Sequence, residues 1–114
     1  MSSGCLFCKI ITGMIPVEPV YEDEACLAFP DINPQGPSHT LVVPKQHLES
    51  LAEAGPEDTE LLGKLMAAAT EVARRKHLIR GYRVVINTGA EGGQTVGHLH
   101  LHVIGGRHMG WPPG

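Results

Sequence analysis

The segment GHLHLHV, residues 97–103, places histidines at every second position, with leucine between them. Alternate side chains of a β-strand point to opposite faces, so this period of two predicts a strand with one apolar face and one imidazole face. An imidazole has an unperturbed pKa of about 6.5 and can act as a nucleophile, a proton donor or a metal ligand near neutral pH. The segment therefore predicts a sheet with histidine chemistry on one side.

The rest of the chain predicts one long helix and several short elements. Apolar residues recur every three or four positions over 57–77, after Gly55 and Pro56, which is typical of an amphipathic helix. Helices and strands do not alternate regularly, so we expect an α+β fold in which one principal helix packs on an antiparallel sheet. Short apolar runs between turn-forming residues predict the other elements, which are a helix over 6–12 and strands over 18–21, 25–29, 40–43 and 82–87.

Length and composition predict one domain, spanning residues 1–114. Hydrophobic residues make up 42% of the chain and charged residues 18%, which is ordinary for a globular protein. The net charge is −3 and Lys and Arg are scattered, so we expect a small-molecule ligand and no nucleic acid. The opening residues lack the pattern of a secretory signal, and no stretch reaches the roughly 18 apolar residues of a membrane span. We therefore expect a cytoplasmic protein that does not bind membranes.

The alternating histidines are open to three interpretations. They could form a solvated strand face, although three in register make that the weakest interpretation. Two of them, with a third ligand such as His39, could hold a catalytic metal. The middle one, His100, could instead act as a nucleophile on phosphorus, beside a glycine-rich turn whose N–H groups hold phosphate oxygens. Spacing alone favours the last two interpretations equally.

The cysteines suggest a further site. Three cysteines are too few for a disulfide framework, and a Cys-x-x-Cys pair in a reducing compartment is typical of metal binding or redox chemistry. Cys5 and Cys8 form such a pair, but no βαβ unit of the thioredoxin type is predicted around them. A closed zinc site would need two more nitrogen or sulfur ligands. Cys26 lies in an apolar run and is expected to be a small buried hydrophobe.

Three segments resemble the histidine triad (HIT) family, and within it the Hint branch of nucleoside phosphoramidate hydrolases. They are FCKIITGMIP, AFPDINPQGPSHTLVVPKQH and GGQTVGHLHLHVIGGRHMGWPPG, which together cover most of the chain. The resemblance implies a homodimer with a five-stranded antiparallel sheet in each subunit, a purine nucleoside 5′-phosphoramidate as substrate, and no catalytic metal. It leaves two alternatives, which are a dinucleoside polyphosphate hydrolase and a nucleotide-binding regulatory module with incidental hydrolysis.

The resemblance also assigns roles to individual residues. His100 matches the nucleophile that attacks the α-phosphorus, His98 and His102 flank it, and His39 matches a fourth histidine nearby. Thr95 stands where serine is common and supplies a hydroxyl near the phosphate or the leaving group. The implied nucleotide-binding set is Asp31 at the ribose hydroxyls, Asn87, Gly93 and Gln94 near the phosphate, and Phe7, Ile10, Ile15, Phe29 and Ile32 in an apolar purine slot.

Two further expectations concern a metal and the C-terminus, and the first follows from the resemblance. Many bacterial and archaeal relatives bind a structural zinc through two cysteines, a histidine in the PKxH segment and the first triad histidine. Those positions are occupied here by Cys5, Cys8, His47 and His98. Trp111, an isolated large ring near the C-terminus, is expected to dock across a subunit boundary.

Overall fold

A computed structural model describes residues 4–114, which form one antiparallel sheet and two α-helices. The sheet has five strands in the order β1-β2-β3-β5-β4, and every pairing is antiparallel. This confirms the expected α+β fold. None of the helices in the described part of the chain is long and apolar enough to span a membrane. The elements are α1 (Leu6–Ile11), β1 (Tyr21–Glu22), β2 (Cys26–Pro30), β3 (Ser38–Pro44), α2 (Thr59–Arg75), β4 (Tyr82–Val85) and β5 (Leu101–Gly105).

The two faces of the sheet carry different layers, because successive side chains of a strand point in opposite directions. On one face α2 packs through Leu65 and Val72 against buried strand residues that include Leu101. On the opposite face α1 packs through Phe7 against residues that include Leu41. The apolar residues of β5 face α2, so the imidazoles that alternate with them face α1.

The long helix begins two residues later than the sequence predicts. A short 3-10 turn, Pro56–Asp58, precedes α2, and the Gly55 N–H donates a 3.0 Å hydrogen bond to the Asp58 carboxylate. The short helix α1 ends before Gly13, which adopts a φ of +86° that glycine accommodates without strain. The periodicity of the long helix and the turn residues after the short one therefore place both helices to within about two residues of their observed ends.

The prediction that the whole segment 97–103 is a strand is wrong, because β5 begins only at Leu101. Pairing with the neighbouring strand β3 ends at Val42 and Leu101, although β3 itself continues to Pro44. The Leu99 N–H instead donates a 2.7 Å hydrogen bond to the carbonyl of Leu48, in the segment that follows β3. The alternation of faces persists through this segment, since Leu99 lies in the α2 layer.

Candidate functional site

His100 lies in the layer between the sheet and α1 and is only 5% exposed. Its Nδ1 lies 2.7 Å from the backbone carbonyl oxygen of His98. The ring of Phe7 meets the imidazole of His100 edge to face, with 5.1 Å between the ring centroids. Because a carbonyl only accepts hydrogen bonds, Nδ1 carries the proton and Nε2 keeps its lone pair in the neutral ring. The site therefore contains an oriented imidazole with a free nucleophilic nitrogen.

A chain of hydrogen bonds fixes the protons of the two neighbouring histidines. The backbone N–H of Gln35 donates to His39 Nδ1 at 2.9 Å, so His39 carries its proton on Nε2. This Nε2–H donates to His102 Nδ1, also at 2.9 Å. His102 therefore carries its proton on Nε2, a buried atom with no hydrogen-bond partner in the described part of the chain.

Burial keeps both of these rings neutral. It lowers the pKa of His39 from its usual value, although the Asp31 carboxylate opposes that shift. Burial also lowers the pKa of His102 to about 4, and the neighbouring His100 and His39 add to the shift. At pH 7 His102 therefore offers an uncharged N–H donor beside His100, whose ring centroid is 5.0 Å away.

Asp31 connects the loop after β2 to this histidine pair. One carboxylate oxygen accepts the Asn33 N–H at 2.8 Å and closes a turn, while the other lies 3.4 Å from His39 Nε2. Donor atoms of Asp31, His39 and His102 all lie within 4.8 Å of one another, close enough for a metal ion. The hydrogen bond between His39 and His102 and the contact of Asp31 with His39 explain these short distances without a metal ion.

The glycine-rich turn before the histidines is held together by Gln94. Its side-chain oxygen accepts the Gly89 N–H at 2.9 Å, and its amide group donates to the carbonyls of Glu49 and Val96 at 2.8 and 2.9 Å. The Gly93 N–H donates to the carbonyl of Ala90 at 3.1 Å, so it too stabilises the turn. The contacts of Gln94 and Gly93 with a phosphate remain predictions. Thr95 lies exposed just after this turn, and Asn87 is half-buried after β4.

Four of the five residues expected to line a purine slot lie together in the α1 layer. Phe7, Ile10 and Phe29 are buried there, Ile15 is partly buried, and the two phenyl rings meet edge to face at 5.7 Å. Ile32 lies apart from them and is fully exposed. In the single chain, Ile32 therefore does not line the purine slot together with the other four residues.

The four residues of the expected zinc site converge at the N-terminal end of α1. The Nδ1 atoms of His47 and His98 are 3.0 Å apart. Cys5 Sγ lies 3.3 Å from His98 Nδ1, and Cys8 Sγ lies 3.3 Å from His47 Nδ1 and 3.7 Å from His98 Nδ1. A tetrahedral zinc with usual bond lengths separates sulfur and nitrogen ligands by about 3.5 Å and two nitrogens by about 3.3 Å. The spacing therefore fits zinc.

The surroundings of the cluster also favour a bound metal. His98 is fully buried, and its Nε2 lies 2.9 Å from the carbonyl of Pro44, so Nε2 carries the proton and the Nδ1 lone pair points into the cluster. The Nε2 of His47 lies 3.5 Å from a Glu49 carboxylate oxygen. Two buried thiols and two imidazole lone pairs aimed at one point are the ligand set of a closed structural zinc site.

Comparison with known proteins agrees with this geometry. The family model described as "HIT domain" matches residues 12–109. The chain belongs to the HIT domain family. A HIT family hydrolase from Legionella pneumophila has a crystal structure that superimposes with a TM-score of 0.94 at 47% identity, covering 97% of this chain and 100% of that one. A HIT family hydrolase from Clostridium thermocellum also gives 0.94, at 40% identity and 96% coverage of both chains.

Two HIT relatives are informative at the level of sequence. An uncharacterised HIT-like protein from Synechococcus elongatus is 53% identical over the full length of both chains. A 14 kDa zinc-binding protein from Zea mays is 52% identical over 98% of this chain and 89% of its own length. Together with the converging thiols and imidazoles, this likeness confirms the predicted structural zinc site of Cys5, Cys8, His47 and His98.

Sequence reasoning missed three backbone groups that orient the HIT histidines. They are the N–H of Gln35 and the carbonyls of Pro44 and His98. Every residue has a backbone carbonyl and nearly every residue has a backbone N–H, so the residue types in the sequence do not indicate which of these groups orient a histidine. Glu49 was also missed, although a carboxylate two positions after His47 is a visible signal for a partner of that imidazole.

Proposed function

We propose that this HIT protein hydrolyses purine nucleoside 5′-phosphoramidates through a covalent nucleotidyl intermediate on His100. The hydrogen bond between His100 Nδ1 and the His98 carbonyl carries the proposal, because it leaves Nε2 unprotonated and fixes its direction. The intermediate is itself a P–N compound and lies close in energy to a phosphoramidate. Neither half of the reaction is therefore steeply uphill.

In the first step, the lone pair of His100 Nε2 forms a bond to the α-phosphorus, and the bond from phosphorus to the amine breaks. The electron pair of that bond leaves on the amine nitrogen, which takes up one proton. Thr95, exposed after the glycine-rich turn, relays this proton from solvent through its hydroxyl. The Nδ1–H of His100 keeps its hydrogen bond to the His98 carbonyl, which stabilises the positive charge that develops on the ring.

In the second step, water attacks phosphorus on the adduct, and the bond to Nε2 breaks. The electron pair returns to Nε2, the water proton passes to solvent, and the nucleoside monophosphate is released. The free imidazole is then ready for another turnover.

His102 stabilises the phosphate during both steps. Its neutral ring presents the buried, unpartnered Nε2–H beside His100, and a phosphate oxygen satisfies that donor. Asp31 binds the ribose hydroxyls, and the phenyl rings of Phe7 and Phe29 supply apolar surface for the purine. Because His39 fixes the tautomer of His102, it acts as a positioning residue.

The test compares turnover of adenosine 5′-phosphoramidate by the wild type and His100→Ala. We expect the substitution to abolish turnover, and intact-mass spectrometry of the quenched wild type to show one added adenylyl group. The matched control is His77→Gln, which changes an exposed histidine after α2 and should keep the wild-type rate. Equal slow rates in the wild type and His100→Ala would contradict the proposal and favour a nucleotide-binding module. Faster turnover of dinucleoside polyphosphates would assign the other substrate class.

We further propose that the enzyme is a homodimer. The four-residue strand β4 lies at the edge of the sheet, and an edge strand offers backbone N–H and C=O groups with which a second copy can pair. Tyr82 on that strand is 42% exposed, and Trp111 near the C-terminus is 83% exposed. Aromatic surface of this kind is enriched at protein interfaces. Sedimentation velocity at micromolar concentration should give a dimer, and a monomer would contradict the assembly.

The zinc site bears on where the enzyme works. Zinc binds cysteine as the thiolate, so Cys5 and Cys8 must stay reduced. A reducing compartment maintains both thiols, which supports the proposal that the protein acts in the cytoplasm.

A further inference from the structure

The two imidazoles of the zinc site are oriented in different ways. His98 is fully buried, and its Nε2–H donates a 2.9 Å hydrogen bond to the backbone carbonyl of Pro44. The side chain of His47 is 21% exposed, and within the described residues its Nε2 has one hydrogen-bond partner, a Glu49 carboxylate oxygen at 3.5 Å. The orientation of His47 therefore depends on a side chain, whereas that of His98 depends on the backbone.

Glu49 contacts the His47 ring on the side opposite to the metal ligands. The Nδ1 atom of His47 lies 3.3 Å from Cys8 Sγ and 3.0 Å from His98 Nδ1, so this nitrogen faces the cluster. Zinc binds an imidazole nitrogen that carries no proton, which leaves the proton of His47 on Nε2. The Nε2–H then donates to the Glu49 carboxylate. Glu49 is therefore not a zinc ligand and acts on the metal site through the ring of His47.

The backbone of Glu49 is held in place by the chain on both sides of His98. The carbonyl of Leu48 accepts the Leu99 N–H at 2.7 Å, and the carbonyl of Glu49 accepts the Gln94 side-chain amide at 2.8 Å. Gln94 precedes His98 in the sequence and Leu99 follows it. Because these hydrogen bonds fix the main chain, only the side-chain torsions of Glu49 remain to be ordered when its carboxylate contacts His47.

Gly97 leaves the space that the Glu49 carboxylate occupies. A Cβ atom at position 97 would lie 2.6 Å from Glu49 Oε2 and 3.4 Å from Glu49 Cδ, and the first distance is too short for a carbon and an oxygen that are not bonded. Gly97 does not have a positive φ, so its backbone does not itself require glycine. The carboxylate is the end of a flexible side chain, so a larger residue at position 97 would displace it and leave the backbone in place. Gly97 therefore matters through the space that it provides for Glu49.

We propose that Glu49 is a positioning residue of the zinc site, which orients His47 through its Nε2–H, and that Gly97 admits the Glu49 carboxylate to this position. A carboxylate that accepts the free N–H of a metal-bound imidazole fixes the tautomer of the ring and makes it a stronger ligand. The Glu49 side chain is 64% exposed, and exposed ion pairs add little to the stability of a fold. Its effect should therefore appear in zinc affinity. This role does not depend on the reaction proposed for His100.

The test is a competition experiment in which the reduced, zinc-loaded protein is titrated with the chromogenic chelator pyridylazoresorcinol. Glu49→Ala should weaken zinc binding by about tenfold or more, because it removes the partner of the His47 N–H. Glu49→Gln keeps an acceptor oxygen and should lose less affinity; an equal loss would overturn the proposal. The matched control is Glu53→Ala, which removes the same charge from an exposed position in the following turn and should change zinc affinity by less than about twofold. Equal losses in Glu49→Ala and Glu53→Ala would also overturn the proposal, because only net charge would then matter.

A double-mutant cycle in the same titration tests the part played by Gly97. Gly97→Ala should weaken zinc binding about as much as Glu49→Ala, since it displaces the same carboxylate. In the Glu49→Ala background the same substitution should change zinc affinity by less than about twofold, because no carboxylate is left to displace. Far-UV circular dichroism at saturating zinc establishes that each variant is folded. Unchanged affinity in Gly97→Ala, or losses that add in the double variant, would overturn the pairing of Gly97 with Glu49.

Discussion

Removing the zinc should destabilise the protein strongly. The cluster joins Cys5 and Cys8 at the start of α1 to His98, which lies 93 residues after Cys5 in the sequence. A metal that holds these residues together closes a very long loop, in the way that a disulfide does. The variants Cys5→Ser and Cys8→Ser each remove one ligand and should both lose the metal.

The size of the effect follows from the length of that loop. Closing about 93 residues reduces the entropy of the unfolded chain by an amount worth about 4 to 5 kcal/mol at 25 °C, provided that the unfolded chain does not bind zinc. A domain of this size has a total stability of about 5 to 15 kcal/mol. Loss of zinc should therefore remove a large part of the stability and lower Tm by roughly 15 °C.

The assay combines elemental analysis with thermal and urea denaturation followed by far-UV circular dichroism. Wild-type protein purified without chelator should contain one zinc per chain, and Cys5→Ser should contain almost none. The matched control is Cys26→Ser, which changes a fully buried cysteine in the α2 layer and should keep its zinc even if it is less stable. If Cys5→Ser kept its zinc, or lost it with a fall in Tm of less than about 3 °C, the reasoning would be refuted.

Three further predictions test other parts of the structure. Gln35→Pro removes the N–H that His39 accepts and should lower turnover about tenfold or more relative to Gln35→Ala, which keeps that donor; equal rates would contradict the proton assignment. Leu65→Ala truncates a side chain that is 1% exposed between α2 and the sheet, and should lower the free energy of unfolding in urea by about 3 to 5 kcal/mol; a loss below about 1 kcal/mol would mean that the layer repacks. The Tyr21 hydroxyl donates a hydrogen bond to Asp23 and lowers the pKa of that carboxyl below its value in the unfolded chain, so the ionised carboxylate stabilises the fold at neutral pH. Asp23→Asn should therefore lower the free energy of unfolding at pH 7, and its difference from the wild type should shrink as the pH falls below about 4. A difference that does not change with pH would count against this linkage.

The helices and the two-faced sheet could be predicted because they depend on local periodicity. In α2 the buried Leu65, Ala69 and Val72 recur at spacings of four and three, so one face of the helix must be covered wherever the chain places it. In the same way, the period of two around His102 separates apolar from imidazole side chains before any partner strand is known. Such patterns predict which face of a helix or strand is buried, but they do not predict at which residue the strand begins to pair with its neighbour.

The start of β5 and the protons of the site depend on distant backbone groups, and the sequence does not reveal these. Pairing with β3 stops at Val42 and Leu101, and the Leu99 N–H donates to the carbonyl of Leu48 instead. The tautomer of His102 depends on an N–H at Gln35, two hydrogen bonds away through His39. Side-chain motifs identified the histidines, but the fold alone decides which nitrogen of each ring is free.

His98 explains why the zinc site lies beside the proposed nucleophile. Its ring is a zinc ligand through Nδ1 and donates through Nε2 to the carbonyl of Pro44, so the residue is fixed on both sides. Its own backbone carbonyl accepts the Nδ1–H of His100 at 2.7 Å. A displacement of the His98 backbone would therefore also move the imidazole of His100, because this hydrogen bond joins them. His98 and His100 precede the first paired residue of β5, so the sheet ladder does not hold this stretch, and a zinc bound by His98 would add rigidity to the hydrogen bond of Leu99 with Leu48.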